Sequence, residues 1–167
     1  MSFFDEEVLK YCREHNGYYI RFVDDFIIIL PSARELHEIE LHLREWLPSE
    51  LEVEIHKNKV YIQPARHGVK FIGSVLRPGR MYLANRTYGG FDTALKQAEK
   101  VCGRVDKSNA ENYVRSIYHI YTTINSYLGF TRHNKSYNKK RELFIRCDKL
   151  WNIFDIDPDL TVLSIKD

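Results

Sequence analysis

Two adjacent carboxylates, Asp24 and Asp25, stand between two apolar runs of the chain, residues 18–23 and 26–30. Carboxylates fixed on a stiff turn can hold magnesium, which takes oxygen ligands and is commonly bound by one or two acids plus substrate phosphates. Two such ions, about 3.5–4 Å apart, support in-line displacement at phosphorus. Two like charges 4 Å apart repel by about 1 kcal/mol in water and about 4 kcal/mol at an effective dielectric of 20. An exposed turn tolerates that repulsion, whereas a cleft demands a cation. The plainer alternative is that aspartate is a favoured turn residue and the pair only solvates a loop.

The runs on either side of the pair are β-branched and aromatic, so the spacing predicts a β-hairpin with the aspartates at its tip. Residues 4–15 predict a short helix with Phe4, Val8, Leu9 and Tyr11 or Cys12 on one side, stopped by Asn16-Gly17. Pro31 ends the second run. Ser32 and Glu35 form the signature of a capping box for a helix that buries Leu36, Ile39, Leu43 and Leu47. Residues 50–55 alternate strictly and predict a half-exposed strand. Three more strands are expected near 60–63, 69–76 and 81–83, separated by Pro64, Gly68 and Pro78-Gly79.

From Phe91 onward the periodicity is helical, over 92–106, 109–129 and about 136–152. Val114, Ile117, Tyr121, Ile124 and Leu128 share one face of the middle helix, and the tyrosines at 113, 118, 121 and 127 read as core rather than as base-stacking groups. The expected fold class is α+β. A strand-rich part, 1–89, is followed after the joint Gly89-Gly90 by an all-helical part, 90–154, and a patternless tail, 155–167.

Charge is segregated along the chain. Residues 1–54 hold 13 acids against 5 bases, residues 55–91 hold seven bases and no acid, and residues 92–154 hold 12 bases against 6 acids. Such segregation suggests a polyanion for the basic portion, or else bases that pair with the acidic beginning. Three cysteines without a CxxC spacing argue against a disulfide framework or a zinc site. The longest apolar run is too short to span a bilayer, and the acidic start is unlike a signal peptide. The expectation is a cytoplasmic protein without membrane contact.

Residues 19–29, YIRFVDDFIII, resemble the catalytic hairpin of reverse transcriptases, usually read as Tyr-x-Asp-Asp, and are most similar to the bacterial retroelement branch. The resemblance continues in order. Residues 51–62, with Lys59, are similar to the family's next strand-and-lysine motif. Residues 68–73, GVKFIG, look like the primer-grip hairpin. Residues 124–129 with Arg132-His133 look like the thumb of bacterial enzymes, and together with Asn85-Arg86-Thr87 they most resemble the enzymes of diversity-generating retroelements.

The resemblance implies the end of a polymerase palm followed by a helical thumb, acting as an RNA-directed DNA polymerase on an RNA template, a DNA primer and deoxynucleoside triphosphates. It implies two magnesium ions, with manganese as the alternative. Asp24 would be a ligand shared by both ions and Asp25 a less direct acidic contributor. Lys59 would lie near the incoming triphosphate and stabilise or protonate the leaving pyrophosphate. Gly68, Lys70, Phe71 and Gly73 would place backbone and side chains against the primer end. Arg132, Lys135, Lys139, Lys140 and Arg141 would contact template–primer phosphates, a role that their charge alone also suits. An accessory protein of the retroelement is a further implied partner.

The sequence departs from the family at Phe22, where the motif has tyrosine, so only aromatic packing carries over. Nothing before Tyr18 resembles the family's earlier catalytic aspartate or its fingers, and Asp5 sits in an acidic helical stretch. The chain is therefore expected to be a palm–thumb fragment that does not polymerise alone. Two other readings compete: a non-catalytic nucleic-acid-binding module with a structural Asp-Asp hairpin and, more weakly, a two-metal nuclease.

Overall fold

The computed structural model describes residues 3–104 and 110–166. They form a mixed α+β fold that divides into two compact units, one up to Gly68 and one from Val69 onward. Each unit has its own apolar core.

In the first unit, α1 (Phe3–Glu14) buries Phe4, Val8 and Cys12. The left-handed turn that ends it falls on Asn16, at φ 52°, rather than on Gly17. Gly17 is needed for a different reason: a Cβ there would lie 2.4 Å from Leu30 Cδ2 and 2.8 Å from the Ile29 carbonyl. The hairpin follows as β1 (Tyr18–Phe22) and β2 (Asp25–Ile29), antiparallel, with Phe22 opposite Asp25 and Tyr18 opposite Ile29. Helix α2 (Ala33–Leu51) opens with the expected capping box between Ser32 and Glu35. Ile39, Leu43 and Leu47 are buried, and Leu36 is half-buried.

Because successive strand residues point to opposite faces, the hairpin register sets Tyr19, Arg21, Phe26 and Ile28 on one face. Of these, Tyr19, Phe26 and Ile28 pack on the core made by α1 and α2. The other face carries Tyr18, Ile20, Phe22 and Ile29, all exposed.

The strand expected over 50–55 does not form. Helix α2 continues to Leu51, Glu52 closes it in the left-handed region at φ 54°, and the chain then runs irregularly to a short 3₁₀ turn, Ala65–His67. The strand expected at 60–63 is also absent among the described residues. A strand exists only through hydrogen bonds to a neighbour, and no described segment pairs with either stretch.

The second unit starts with a three-stranded antiparallel meander, β3 (Val69–Phe71), β4 (Ser74–Arg77) and β5 (Arg80–Leu83). The single strand expected over 69–76 is thus split, because Ile72 and Gly73 take φ of 45° and 71° and make a two-residue hairpin turn. Helix α3 (Asn85–Cys102) begins directly after β5 and runs through Gly89-Gly90, so that pair is no joint. The units part earlier, because the meander belongs with the helices: Gly73 packs on Phe130, and the Lys135 amide donates to the Met81 carbonyl at 2.8 Å.

Helix α4 (Ala110–Thr131) buries Ile117, Ile120, Ile124 and Leu128. Val114 and Tyr118 are exposed, and the tyrosines at 113, 121 and 127 are only half-buried, so the expected stripe is rotated toward Ile120. The helix ends expected at 106 and 109 lie outside the described residues. Helix α5 (Tyr137–Phe144) is shorter than expected, and a 3₁₀ turn at Leu150–Asn152 follows. The tail is not patternless: β6 (Phe154–Ile156) and β7 (Leu163–Ile165) pair as a hairpin whose Phe154 and Leu163 are fully buried. The side chain of Asn125 on α4 fixes β7 by donating to the Leu163 carbonyl at 2.9 Å and accepting from its amide at 2.8 Å. Among the described residues, no helix is long and apolar enough to cross a membrane.

Candidate functional site

The aspartates lie at the tip of the first hairpin. Val23 and Asp24 form its two-residue turn, and Asp25 opens β2. Both carboxylates are exposed, and among the described residues no hydrogen bond or ion pair engages either one. Val23 takes φ 54°, a left-handed conformation that is costly for a β-branched side chain. Strain of this kind persists only where the surroundings over-determine it, and here Arg21 supplies part of that constraint. Its Nη1 donates to the Val23 carbonyl at 3.1 Å, while its Nε and Nη2 each donate to Asp5 at 2.6 Å.

Asp5 also accepts the Tyr19 hydroxyl at 2.7 Å. Burial first, and then the bond to Asp5, push the Tyr19 phenol well above its ordinary pKa, so it stays a neutral donor. The strand residue before the tip, the first turn of α1 and β1 are thereby fastened together. Asp5, Leu9, Tyr19, Ile20, Arg21 and Val23 line an open groove of about 410 Å³, and the two aspartates are not part of its wall.

Lys59 is exposed in the irregular stretch after α2, its amide bonded to the His56 carbonyl at 3.1 Å. No hydrogen bond or ion pair joins its ammonium to Asp24 or Asp25. Gly68 adopts φ 82°, ψ 149°, a conformation essentially restricted to glycine, and its carbonyl accepts from Gln63 Nε2 at 2.6 Å. Gly73 combines positive φ with close packing: a Cβ would meet Phe130 Cζ and Thr87 Oγ1, each at 2.9 Å. Its carbonyl accepts from the Thr87 hydroxyl at 2.8 Å and the Ala84 amide at 3.0 Å. Between these glycines, Phe71 points into the core and Lys70 points out.

The basic set divides, with Arg132 and Lys135 in the turn before α5 and Lys139, Lys140 and Arg141 on it. Arg132, Lys135, Lys139 and Arg141 are exposed and form no ion pair among the described residues. Lys139 lies over the Tyr88 ring, 5.3 Å from its centroid. Lys140 leaves the set expected to face phosphates. It is only 3% exposed, and its Nζ donates to the Leu160 carbonyl at 2.5 Å. Burial draws its pKa down, while Asp157 and Asp159 oppose the shift.

The hairpin donors suit a hard cation, being carboxylate oxygens without competing partners. Among the described residues, no group of three or more His, Cys, Asp or Glu gathers into a cation cage. The Asp5–Arg21–Val23 connection was not legible in the sequence, although the arginine two residues before the turn is a visible signal.

Compared with known proteins, the chain matches no family profile, and no curated protein matches it.

Proposed function

We propose that this chain carries the last palm hairpin and the thumb of an RNA-directed DNA polymerase of the bacterial retroelement type. In this reading the first unit, up to Gly68, carries the palm hairpin, and the second unit, from Val69, carries the primer-grip-like strands and the thumb, with the β6–β7 hairpin in the thumb core. The observation that carries it is the tip of β1–β2, where two adjacent, exposed and unengaged carboxylates stand on a register-locked hairpin braced from behind by Arg21. That tip coincides with the motif similar to the family's catalytic Asp-Asp.

Asp24 and Asp25 would hold divalent cations, magnesium or manganese, with substrate phosphates and water completing the shell. The ions supply neutralisation of the triphosphate and a more acidic primer hydroxyl. The chain's own residues do the placing. The β1–β2 ladder sets the backbone of Asp25, and the Arg21 bond to the Val23 carbonyl braces the turn that carries Asp24. Lys59, exposed in the stretch after α2, would reach toward the leaving pyrophosphate. Gly68 to Gly73 would receive the primer end, and Arg132, Lys135, Lys139 and Arg141 the template–primer phosphates. A two-ion site of this kind also needs an acid from a separate strand, so polymerisation requires a partner segment that supplies one. The retroelement's accessory protein and a cytoplasmic setting belong to the same proposal.

The test is incorporation of labelled deoxynucleotide on an RNA template with a DNA primer. The 167-residue chain alone is expected to incorporate none. The complete polymerase is expected to be active and to lose synthesis on Asp24→Asn with its fold intact. Equal synthesis by mutant and parent would leave the hairpin a purely structural turn. Those exposed cations of the second unit that form no ion pair among the described residues favour a second reading, a nucleic-acid-binding module without catalysis. Magnesium titration separates the two, since only the first predicts shifts at Asp24 and Asp25.

A further inference from the structure

We propose that the outer face of the β3–β4–β5 meander, which carries Lys70, Arg77, Arg80 and Tyr82, is a phosphate-binding platform for a nucleic-acid strand. The platform belongs to the second unit and the Asp24–Asp25 hairpin to the first, and its binding does not depend on whether that hairpin holds metal.

The register builds the platform. Lys70 lies opposite Val75, Val75 opposite Tyr82, and Arg77 opposite Arg80. Alternation along each strand therefore puts Lys70, Val75, Arg77, Arg80 and Tyr82 on one face. The opposite face carries Phe71, Ser74 and Leu83, all buried. The sheet thus has one face in the core and one that is basic and aromatic.

Arg77 and Arg80 close the hairpin at the Pro78-Gly79 turn, both exposed and directly across from each other. Like charges directly opposite in a ladder are destabilising, and no acid among the described residues pairs with either. Tyr82 lies on the same face, two residues along β5 from Arg80 and opposite Val75. The Arg77 guanidinium lies 5.9 Å from its ring centroid. Arg80 acts most strongly to lower the Tyr82 pKa, helped by the charges of Lys135 and Arg77. Lys135 reaches this edge because its own amide is bonded to Met81 of β5. Three cations therefore act on one tyrosine, with Lys70 on the same sheet face, and none of the four forms an ion pair among the described residues. The Arg77–Tyr82 contact offsets part of that repulsion, and a chain of phosphates would relieve the rest. Tyr82 is a positioning residue that keeps both guanidinia spread over the sheet.

The experiment is fluorescence anisotropy of a labelled single-stranded DNA oligonucleotide against the full 167-residue chain, without magnesium or nucleotide, over a range of salt. Each phosphate contact on a single strand contributes about 0.7 to the slope of log K against log salt. Arg77→Gln with Arg80→Gln is expected to lower that slope by about 1.4 and the affinity on the order of tenfold. Tyr82→Leu is expected to weaken binding while leaving the slope unchanged.

Arg80→Glu guards against a folding artefact. It turns the like-charged closing pair into an opposite one, so the melting temperature should hold or rise while binding falls. Unchanged affinity and slope in the double variant would overturn the assignment. So would capture of the wild-type chain by anionic lipid vesicles, lost in the double variant, with no binding of DNA.

Discussion

Arg21 and Asp5 meet through two parallel hydrogen bonds, both 2.6 Å, which tie the strand before the Asp24 turn to the first turn of α1. A fork of guanidinium N–H groups matches both oxygens of a carboxylate, which a lysine ammonium cannot do. The third contact, to the Val23 carbonyl, carries that anchoring to the hairpin tip.

Arg21→Lys is therefore expected to lower the melting temperature by a few degrees, and Asp5→Asn by a similar amount. Because the pair is one-third exposed at Arg21 and 16% exposed at Asp5, the loss should shrink in high salt. Thermal melts at two salt concentrations check this, and an unchanged melt in low salt would show that the pair is idle.

Val23 predicts a gain rather than a loss. It is 67% exposed, so its side chain contributes little burial, yet it occupies φ 54°. Asparagine tolerates that region far better than a β-branched residue. Val23→Asn should raise stability by about 1 kcal/mol, measured by urea denaturation. Lower stability would mean that the valine packs against something that its exposure hides.

Lys140 and its neighbours should separate stability from binding. Lys140→Ala removes a buried stem and leaves the Leu160 carbonyl without its donor, at a cost of about 2 kcal/mol. Lys139→Ala with Arg141→Ala, on exposed positions, should cost less than about 0.5 kcal/mol and weaken nucleic-acid binding instead. Denaturation and anisotropy on the same samples would show the crossover. Equal stability losses in both variants would contradict the burial of Lys140.

Asp157 gives a pH dependence. Burial alone would raise its pKa, but the Val162 amide and the Thr161 hydroxyl and amide, all bonded to it in the loop between β6 and β7, outweigh burial and lower it. A carboxyl with a lower pKa folded than unfolded stabilises the fold above the unfolded pKa. That contribution fades as pH falls through the folded pKa. Asp157→Asn should be less stable near neutrality and show a flatter acid limb than the parent chain. Parallel acid limbs would remove Asp157 from the account.

Local chemistry made the first part of the fold readable. Helix α1, the hairpin tip and the Ser32–Glu35 box follow from apolar periodicity and capping residues within a few positions of one another. The alternation of residues 50–55 was a true pattern without a partner strand, and a strand cannot form alone. Gly89-Gly90 looked like a joint, yet neighbouring residues such as Tyr88, Phe91 and Ala94 pack into the core and keep α3 continuous across it. The tail hairpin gave no local signal because its anchors are Asn125 and the buried Phe154 and Leu163, far apart in the chain.

By itself the sequence determined the α+β class, the two adjacent acids at a turn and the segregation of charge, all set by composition and short-range spacing. The tertiary structure decided which charges meet. It joined Asp5 to Arg21 across 16 positions, turned Lys140 inward, and aligned Lys70, Arg77, Arg80 and Tyr82 on one sheet face. Those outcomes depend on strand register and on burial between distant segments, and neither is encoded in any single stretch of residues.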